Sequence, residues 1–288
     1  MKLLFLILGH LPMSVLHTLG SLLGWLLLHF PNRRRLRTRA NIAACLPELT
    51  SEQQQQLARQ ALINLGRTTL ETPRLWFGPA SVIRRQFQLE SGSELLAAAM
   101  AQGKGVILLS PHLNWEAAVL FTGLQGPSTF LYKPQNPKIE PLVRAGRGRF
   151  GTDFVHAVPG TVRQQLQTKL AAGNLLLVLP DQDPPRQRGV FAPFFKVSAH
   201  SPTLVSRLAR SSGAPVLLLQ AERLPRHQGF RIHIMPPPAD IASEDHVAGA
   251  AAVNQAMEQC IRPLLAQYMW NVPRFRRRPE GEEAIYKY

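Results

Sequence analysis

Residues 3–30 contain no Asp, Glu, Lys or Arg. As one helix the segment would run about 42 Å, longer than the roughly 30 Å hydrocarbon core of a bilayer. His10, Pro12, Ser14 and His17 interrupt the apolarity, so the pattern predicts a spanning helix or a bent, partly inserted one. A signal peptide would have a shorter apolar region and a small-residue cleavage site. Arg33, Arg34, Arg35, Arg37 and Arg39 follow directly. By the positive-inside rule they hold the remaining chain in the cytoplasm, and they suit anionic lipid headgroups. We expect a single membrane anchor over residues 1–32 and one large domain over residues 33–288, with residues 31–49 as a basic linker.

Beyond the linker, the chain alternates between two periodicities. Thr50 and Gln53 have capping-box spacing and open a helix that Pro73 should end. Ser93 to Gln102 predicts a second helix, stopped by Gly103. Gly105-Val106-Ile107-Leu108-Leu109 is a continuous apolar run and predicts a buried strand. Helices follow at about 115–124, 138–149, 161–171 and 202–211. Strands follow at 129–132, 175–179, 216–219 and 230–234. A final helix covers about 246–270, bent at Pro263. This alternation argues an α/β class: a layered, largely parallel sheet with helices on both faces.

Chemistry-bearing residues sit just past two of these strands. Ser110-Pro111-His112-Leu113-Asn114-Trp115-Glu116 follows the first, and Asp181-Gln182-Asp183 follows the strand at 175–179. Strand ends are where open α/β sheets place ligands. A neutral imidazole can take a proton from a hydroxyl, and a carboxylate can fix its tautomer. His112 and Glu116 are the candidate pair, and no Ser nucleophile elbow or Cys accompanies them. Asp181 lies closer to its strand end than Asp183 and is the better candidate of the two. Arg144, Arg147 and Arg149 predict a phosphate clamp, because the planar guanidinium fork binds phosphate bidentately.

The 33 Lys and Arg outnumber the 18 Asp and Glu, which implies an anionic partner. The charge lies beside membrane-type segments, and this argues against nucleic acid. Arg274, Arg276, Arg277 and Arg278 around Phe275 read as a membrane-surface patch with an inserted aromatic. Cys45 and Cys260 are too few for a disulfide framework, and no Cys/His cluster has zinc spacing.

Taken together, these blocks resemble the bacterial late acyltransferases of lipid A biosynthesis, the lauroyl/myristoyl transferase family within the wider glycerol-phosphate acyltransferase superfamily. The resemblance covers nearly the whole chain. It rests on the N-terminal apolar helix with its arginines, and on Arg39-Ala40-Asn41 through Cys45-Leu46-Pro47-Glu48-Leu49. It continues in the box Ser110-Pro111-His112 with Asn114-Trp115-Glu116, and in Tyr132-Lys133-Pro134-Gln135-Asn136-Pro137 with Arg144, Arg147 and Arg149. Asp181-Gln182, Gly189-Val190-Phe191, Pro193-Phe194-Phe195, Arg207 to Arg210, Gly213-Ala214-Pro215 and Gln267-Tyr268-Met269-Trp270 complete it.

The resemblance implies an inner-membrane O-acyltransferase with its catalytic domain in the cytoplasm, using neither metal nor bound cofactor. It implies an acyl carrier protein thioester (or acyl-CoA) as donor and a hydroxyl of a phosphorylated glycolipid, the lipid A precursor, as acceptor. His112 is then the base and Glu116 its orienting partner. Arg147 is a substrate-phosphate or charge-stabilising group. Asp181, Arg149 and Asn114 complete the substrate-binding set. The family box has four residues between His and its acid; only Leu113, Asn114 and Trp115 intervene here, and the usual Gly before Asn-Trp is absent. Two other readings stand beside this one. One is an acyltransferase on a different lipid acceptor, such as an ornithine lipid or a lysophospholipid. The other is a catalytically dead lipid-binding membrane protein.

Overall fold

The computed structural model describes residues 2–134, 136–156 and 160–287. The helices are α1 (Lys2–His10), α2 (Met13–His29), α3 (Arg33–Cys45), α4 (Ser51–Phe77), α5 (Ala80–Arg84) and α6 (Ser93–Ala101). They continue as α7 (Trp115–Gln125), α8 (Glu140–Arg147), α9 (Val162–Ala171), α10 (Leu204–Ser212) and α11 (His246–Ile261). The strands are β1 (Phe87–Ser91), β2 (Val106–Leu109), β3 (Ser128–Tyr132), β4 (Thr152–His156), β5 (Leu175–Val178), β6 (Gly189–Phe194), β7 (Val197–Pro202), β8 (Val216–Arg223) and β9 (Phe230–Met235).

Seven strands form one sheet in the order β1-β9-β8-β2-β5-β3-β4. From β8 to β4 every pairing is parallel, and β9 meets β8 antiparallel. The apolar run of β2 shows why the fold is layered. Val106 and Leu108 point into one core with α7 and the end of α4, whereas Ile107 and Leu109 point into another with α9, α10 and α11. All four are fully buried, so the strand reads as unbroken hydrophobicity instead of alternation. The predicted α/β class holds. β1, β4 and the β6–β7 hairpin were not expected from the sequence.

Of the two expected alternatives, the first 30 residues take the bent one: two helices, not one continuous helix. Pro12 stands at the N-cap of α2 with φ −56° and ψ 143°. Proline pushes its preceding residue out of the helical region, so the chain breaks between α1 and α2. Among the described residues no single helix is long and apolar enough to cross a bilayer; α2 and α3 qualify only as a pair bent by 81°. The expected basic linker is itself helical. Asn32 caps α3 by accepting from the Arg35 N–H at 2.9 Å.

α4 also departs from expectation, running through Pro73 for another turn. Proline forfeits one hydrogen bond there, but the last turn is held by burial of Leu75 and Trp76. α2 lies on α4 through glycines. A Cβ at Gly20 would sit 2.6 Å from the Arg67 Cα, and one at Gly66 would collide with the Gly20 carbonyl. Gly66→Leu is therefore expected to lift α2 off α4. Limited proteolysis within α2 should become much faster in that variant, and an unchanged cleavage pattern would contradict the close packing.

The opposite face of α1 and α2 is apolar and uncovered. Leu3, Ile7, Val15, Leu19, Leu22 and Trp25 are all exposed. At the other end of the chain, Arg274 and Phe275 of the expected surface patch are buried instead, whereas Arg276 is exposed. Arg274 donates to the His200 carbonyl at 2.6 Å and to Ser201 Oγ at 2.7 Å, and Phe275 is core. Asn41 holds the same region, donating to the carbonyls of Trp270 (2.6 Å) and Val272 (2.7 Å).

Candidate active site

β2 and β5 are parallel neighbours with Leu109 opposite Val178. Continuing that register for three residues brings Ser110-Pro111-His112 abreast of Leu179-Pro180-Asp181. The outcome is a direct pair. His112 Nδ1 lies 2.6 Å from Asp181 Oδ1, and the His112 backbone N–H donates to Asp181 Oδ2 at 2.9 Å. One carboxylate thus grips both the ring and the main chain of the histidine. It assigns the Nδ1–H tautomer and leaves the Nε2 lone pair outward.

Asp181 is completely buried. Burial by itself would raise its pKa, but the His112 charge and hydrogen bonds outweigh that and hold the carboxyl below the usual aspartate range. The ionised form is therefore favoured in the fold. Tyr268 lies against it. Burial and the Asp181 charge push that phenol well above its ordinary pKa, so it stays neutral. The sign for stability follows from linkage. The contribution of Asp181 is complete above the unfolded value of about 3.9 and is lost as pH falls through the lower folded value. The difference in urea midpoint between wild type and Asp181→Asn should be constant from neutral pH down to about pH 4 and close below it. A gap independent of pH would mean that the carboxylate charge contributes nothing.

His112 Nε2 opens on a cavity of about 380 Å3 lined by Trp115, Phe130, Tyr132, Lys133, Arg147 and Gln182, among others. The Gln182 amide nitrogen lies 2.9 Å from Nε2 and occupies the position of a hydroxyl that would give up its proton. The segment Tyr268–Trp270 runs beside the His112 loop, and Met269 lines the cavity. Met269 N–H donates to the His112 carbonyl at 3.1 Å, and Leu113 bridges to Tyr268.

Glu116 does not orient His112. It begins α7, and its carboxylate is consumed elsewhere. Arg147 Nε lies 3.0 Å from Oε2, and Nη2 lies 2.5 Å from Oε1. Trp76 Nε1 donates to Oε2 and Trp115 Nε1 to Oε1, each at 2.9 Å. The four-residue spacing that suggested a pair instead points the two side chains apart, because His112 lies on the loop and Glu116 within the helix. Arg147 is buried against the rings of Trp76, Phe130 and Tyr132. Burial would lower its pKa, but Glu116 overcomes this and raises it. Its fork is spent on Glu116, so it reaches the cavity by an edge and is not an open phosphate clamp.

The other two residues expected to bind substrate, Arg149 and Asn114, make hydrogen bonds within the scaffold. Arg149 donates to the carbonyls of Leu75 and Gly78, both at 2.7 Å, and so ties down the end of α4. Arg144 lies 3.0 Å from His156 Nε2. Asn114 is buried and donates to the Ala221 carbonyl at 2.8 Å and to Gln267 Oε1 at 2.7 Å. Its φ of 47° is left-handed, which Asn tolerates better than most residues. This lets the loop turn without the missing glycine. Gln135 lies outside the described residues. Asp183, the weaker acidic candidate, is paired with His200 and Arg277 at 2.9 and 2.6 Å. The two cysteines are buried, and burial pushes Cys260 up to about 12, which keeps it an unreactive thiol at neutral pH.

A histidine held by a buried carboxylate stands at the C-terminal edge of a mostly parallel sheet and faces a half-apolar cavity, an arrangement whose geometry can accept a proton. Comparison with known proteins gives the class. The family described as bacterial lipid A biosynthesis acyltransferase matches residues 2–277. The chain is 31% identical over 282 residues to the lipid A biosynthesis lauroyltransferase of Escherichia coli, covering 96% of this chain and 90% of the relative. It is 30% identical to the palmitoleoyltransferase of the same organism, with the same coverage of both chains. A lipid A biosynthesis acyltransferase of Haemophilus influenzae is 28% identical, covering 94% of this chain and 87% of the relative. The chain belongs to the family of bacterial lipid A biosynthesis acyltransferases and is an O-acyltransferase.

Proposed function

We propose that the protein moves a fatty acyl chain from an acyl carrier protein thioester, or the related CoA thioester, to a hydroxyl of a lipid A precursor. His112 is the general base. The observation that carries this reading is the Asp181–His112 pair, with Nε2 turned to the cavity. Nε2 takes the acceptor's O–H proton as the oxygen attacks the thioester carbonyl. A C–O bond forms, the C–S bond breaks, and the thiolate leaves with the proton from the imidazolium. Because Asp181 supplies the orienting carboxylate, the dyad does not depend on the shortened box, which supports an active enzyme over a dead lipid binder. The test is turnover of acyl carrier thioester on a lipid A precursor by purified protein. Hydrolysis without transfer, or transfer only to another lipid hydroxyl, would reject this acceptor.

The same reading places the protein on the cytoplasmic surface of the inner membrane, with residues 1–32 as its membrane-facing part and 33–288 as its acyltransferase part. The exposed stripe on α1 and α2 beside the arginines of α3 supports a monotopic attachment. Trp25 is 44% exposed on that stripe and should blue-shift in fluorescence when phosphatidylglycerol vesicles are added. Leu19→Glu with Leu22→Glu should abolish the shift and release the protein from membranes. Wild-type protein found mainly in the soluble fraction after a high-salt wash would overturn the attachment.

A further inference from the structure

The connection between β5 and β6 serves two places. Its start carries Asp181 and Gln182 to the His112 cavity. Its end carries Gln187 and Arg188 to a separate cleft of about 320 Å3, which Arg163, Thr203 and Arg207 also line. Arg163 stands in the first turn of α9 and Arg207 in the first turn of α10. Among the described residues, none of the three guanidiniums has an ion-pair or hydrogen-bond partner, and no carboxylate lines the cleft.

This arrangement opposes itself electrostatically when the cleft holds no anion. A helix N-terminus is the positive end of the macrodipole and favours negative charge, yet both helices present arginine there. Neither helix has a side-chain cap, although Thr161 and Thr203 occupy the N-cap positions. Thr203 is only 8% exposed and lines the cleft, and its hydroxyl has no hydrogen-bond partner among the described residues. Three planar forks, a hydroxyl and free first-turn N–H groups outnumber the two oxygens of a carboxylate. They match the three oxygens of a phosphate monoester. The space exceeds that of one phosphate group, so the anion would carry an esterified body.

We propose that this cleft is a second anion site, which binds the phosphate of a phosphate ester apart from the His112 cavity. It shares no lining residue with that cavity and stands without the acyl-transfer reading. Two sources share the chemistry, a soluble phosphate monoester and a phospholipid whose headgroup is a terminal phosphate.

The test titrates inorganic pyrophosphate into the protein by calorimetry, with flotation on phosphatidate-containing vesicles in parallel. R163Q/R188Q/R207Q should abolish pyrophosphate binding, and R207Q alone should weaken it about tenfold, as the loss of one charged hydrogen bond implies. R59Q/R85Q/R276Q removes the same charge elsewhere and should leave binding intact. If the triple cleft variant melts early, R207Q and a matching R163Q give the same reading. Pyrophosphate binding that survives in the cleft variants overturns the proposal, as does equal loss in both triple variants, which would report net charge alone. If wild type ignores pyrophosphate but loses vesicle flotation only in the cleft variants, the phosphate belongs to a headgroup. If neither assay responds to the cleft, there is no site.

Discussion

His112→Ala is expected to abolish acyl transfer while leaving the fold intact. A positioned base typically contributes about 10² to 10⁴ in rate, and the His112 side chain supports little beyond its own contacts with Asp181 and Gln182. Asp181→Asn should be nearly as damaging for a more specific reason. The His112 backbone N–H requires an acceptor, so the amide oxygen of Asn would turn to it and the amide NH2 would face Nδ1. That selects the opposite tautomer and places a proton on Nε2, where the lone pair is needed. A wrong tautomer costs roughly 10³ to 10⁴ in turnover. Radiolabelled acyl transfer checks both variants, with circular dichroism to confirm folding. Near wild-type turnover in His112→Ala would remove the residue from the mechanism.

Glu116→Ala is expected to act on stability first. It would strip a buried guanidinium of its counter-charge and leave two indole N–H groups without their acceptor. Breaking a buried ion pair from one side costs about 3–5 kcal/mol. Replacing both partners, as in Glu116→Leu with Arg147→Met, should recover much of that loss, because desolvation of both charges is relieved together. Urea unfolding followed by tryptophan emission reads the effect directly, since Trp76 and Trp115 are the groups that lose their partner. A midpoint unchanged in Glu116→Ala would show that the pair contributes nothing to the folded state.

These two carboxylates mark what the sequence could and could not reveal. Both were visible as candidates, because each stands near the end of an apolar run. Their partners were not, because pairing depends on which strands are neighbours. Ile107-Leu108-Leu109-Ser110-Pro111-His112 and Leu176-Leu177-Val178-Leu179-Pro180-Asp181 match position for position. That match was the available signal for the pair, and it acquires meaning only once β2 and β5 are known to be adjacent. Nearness in sequence favoured Glu116 instead. Gln182 was legible as part of the acidic cluster but not as the group that covers Nε2. Of the strands missed, β1 and β4 are edge strands with polar, partly exposed residues, so their periodicity is weak. The break at Pro12 was foreshadowed by the interruptions in the apolar run. The helicity of residues 33–45 was hidden behind their charge.

Met269 gives the His112 loop a main-chain partner, and residues 270–274 are fastened to α3 and α11 behind it. The sheet can therefore be complete in a growing chain while the base is still unseated. Seating of the base would wait until residues 268–274 have docked on the His112 loop and on α3 and α11. A polypeptide in which that segment is frayed would have the architecture without the reaction. The order of assembly would then run from scaffold to chemistry, with one short segment as the last step.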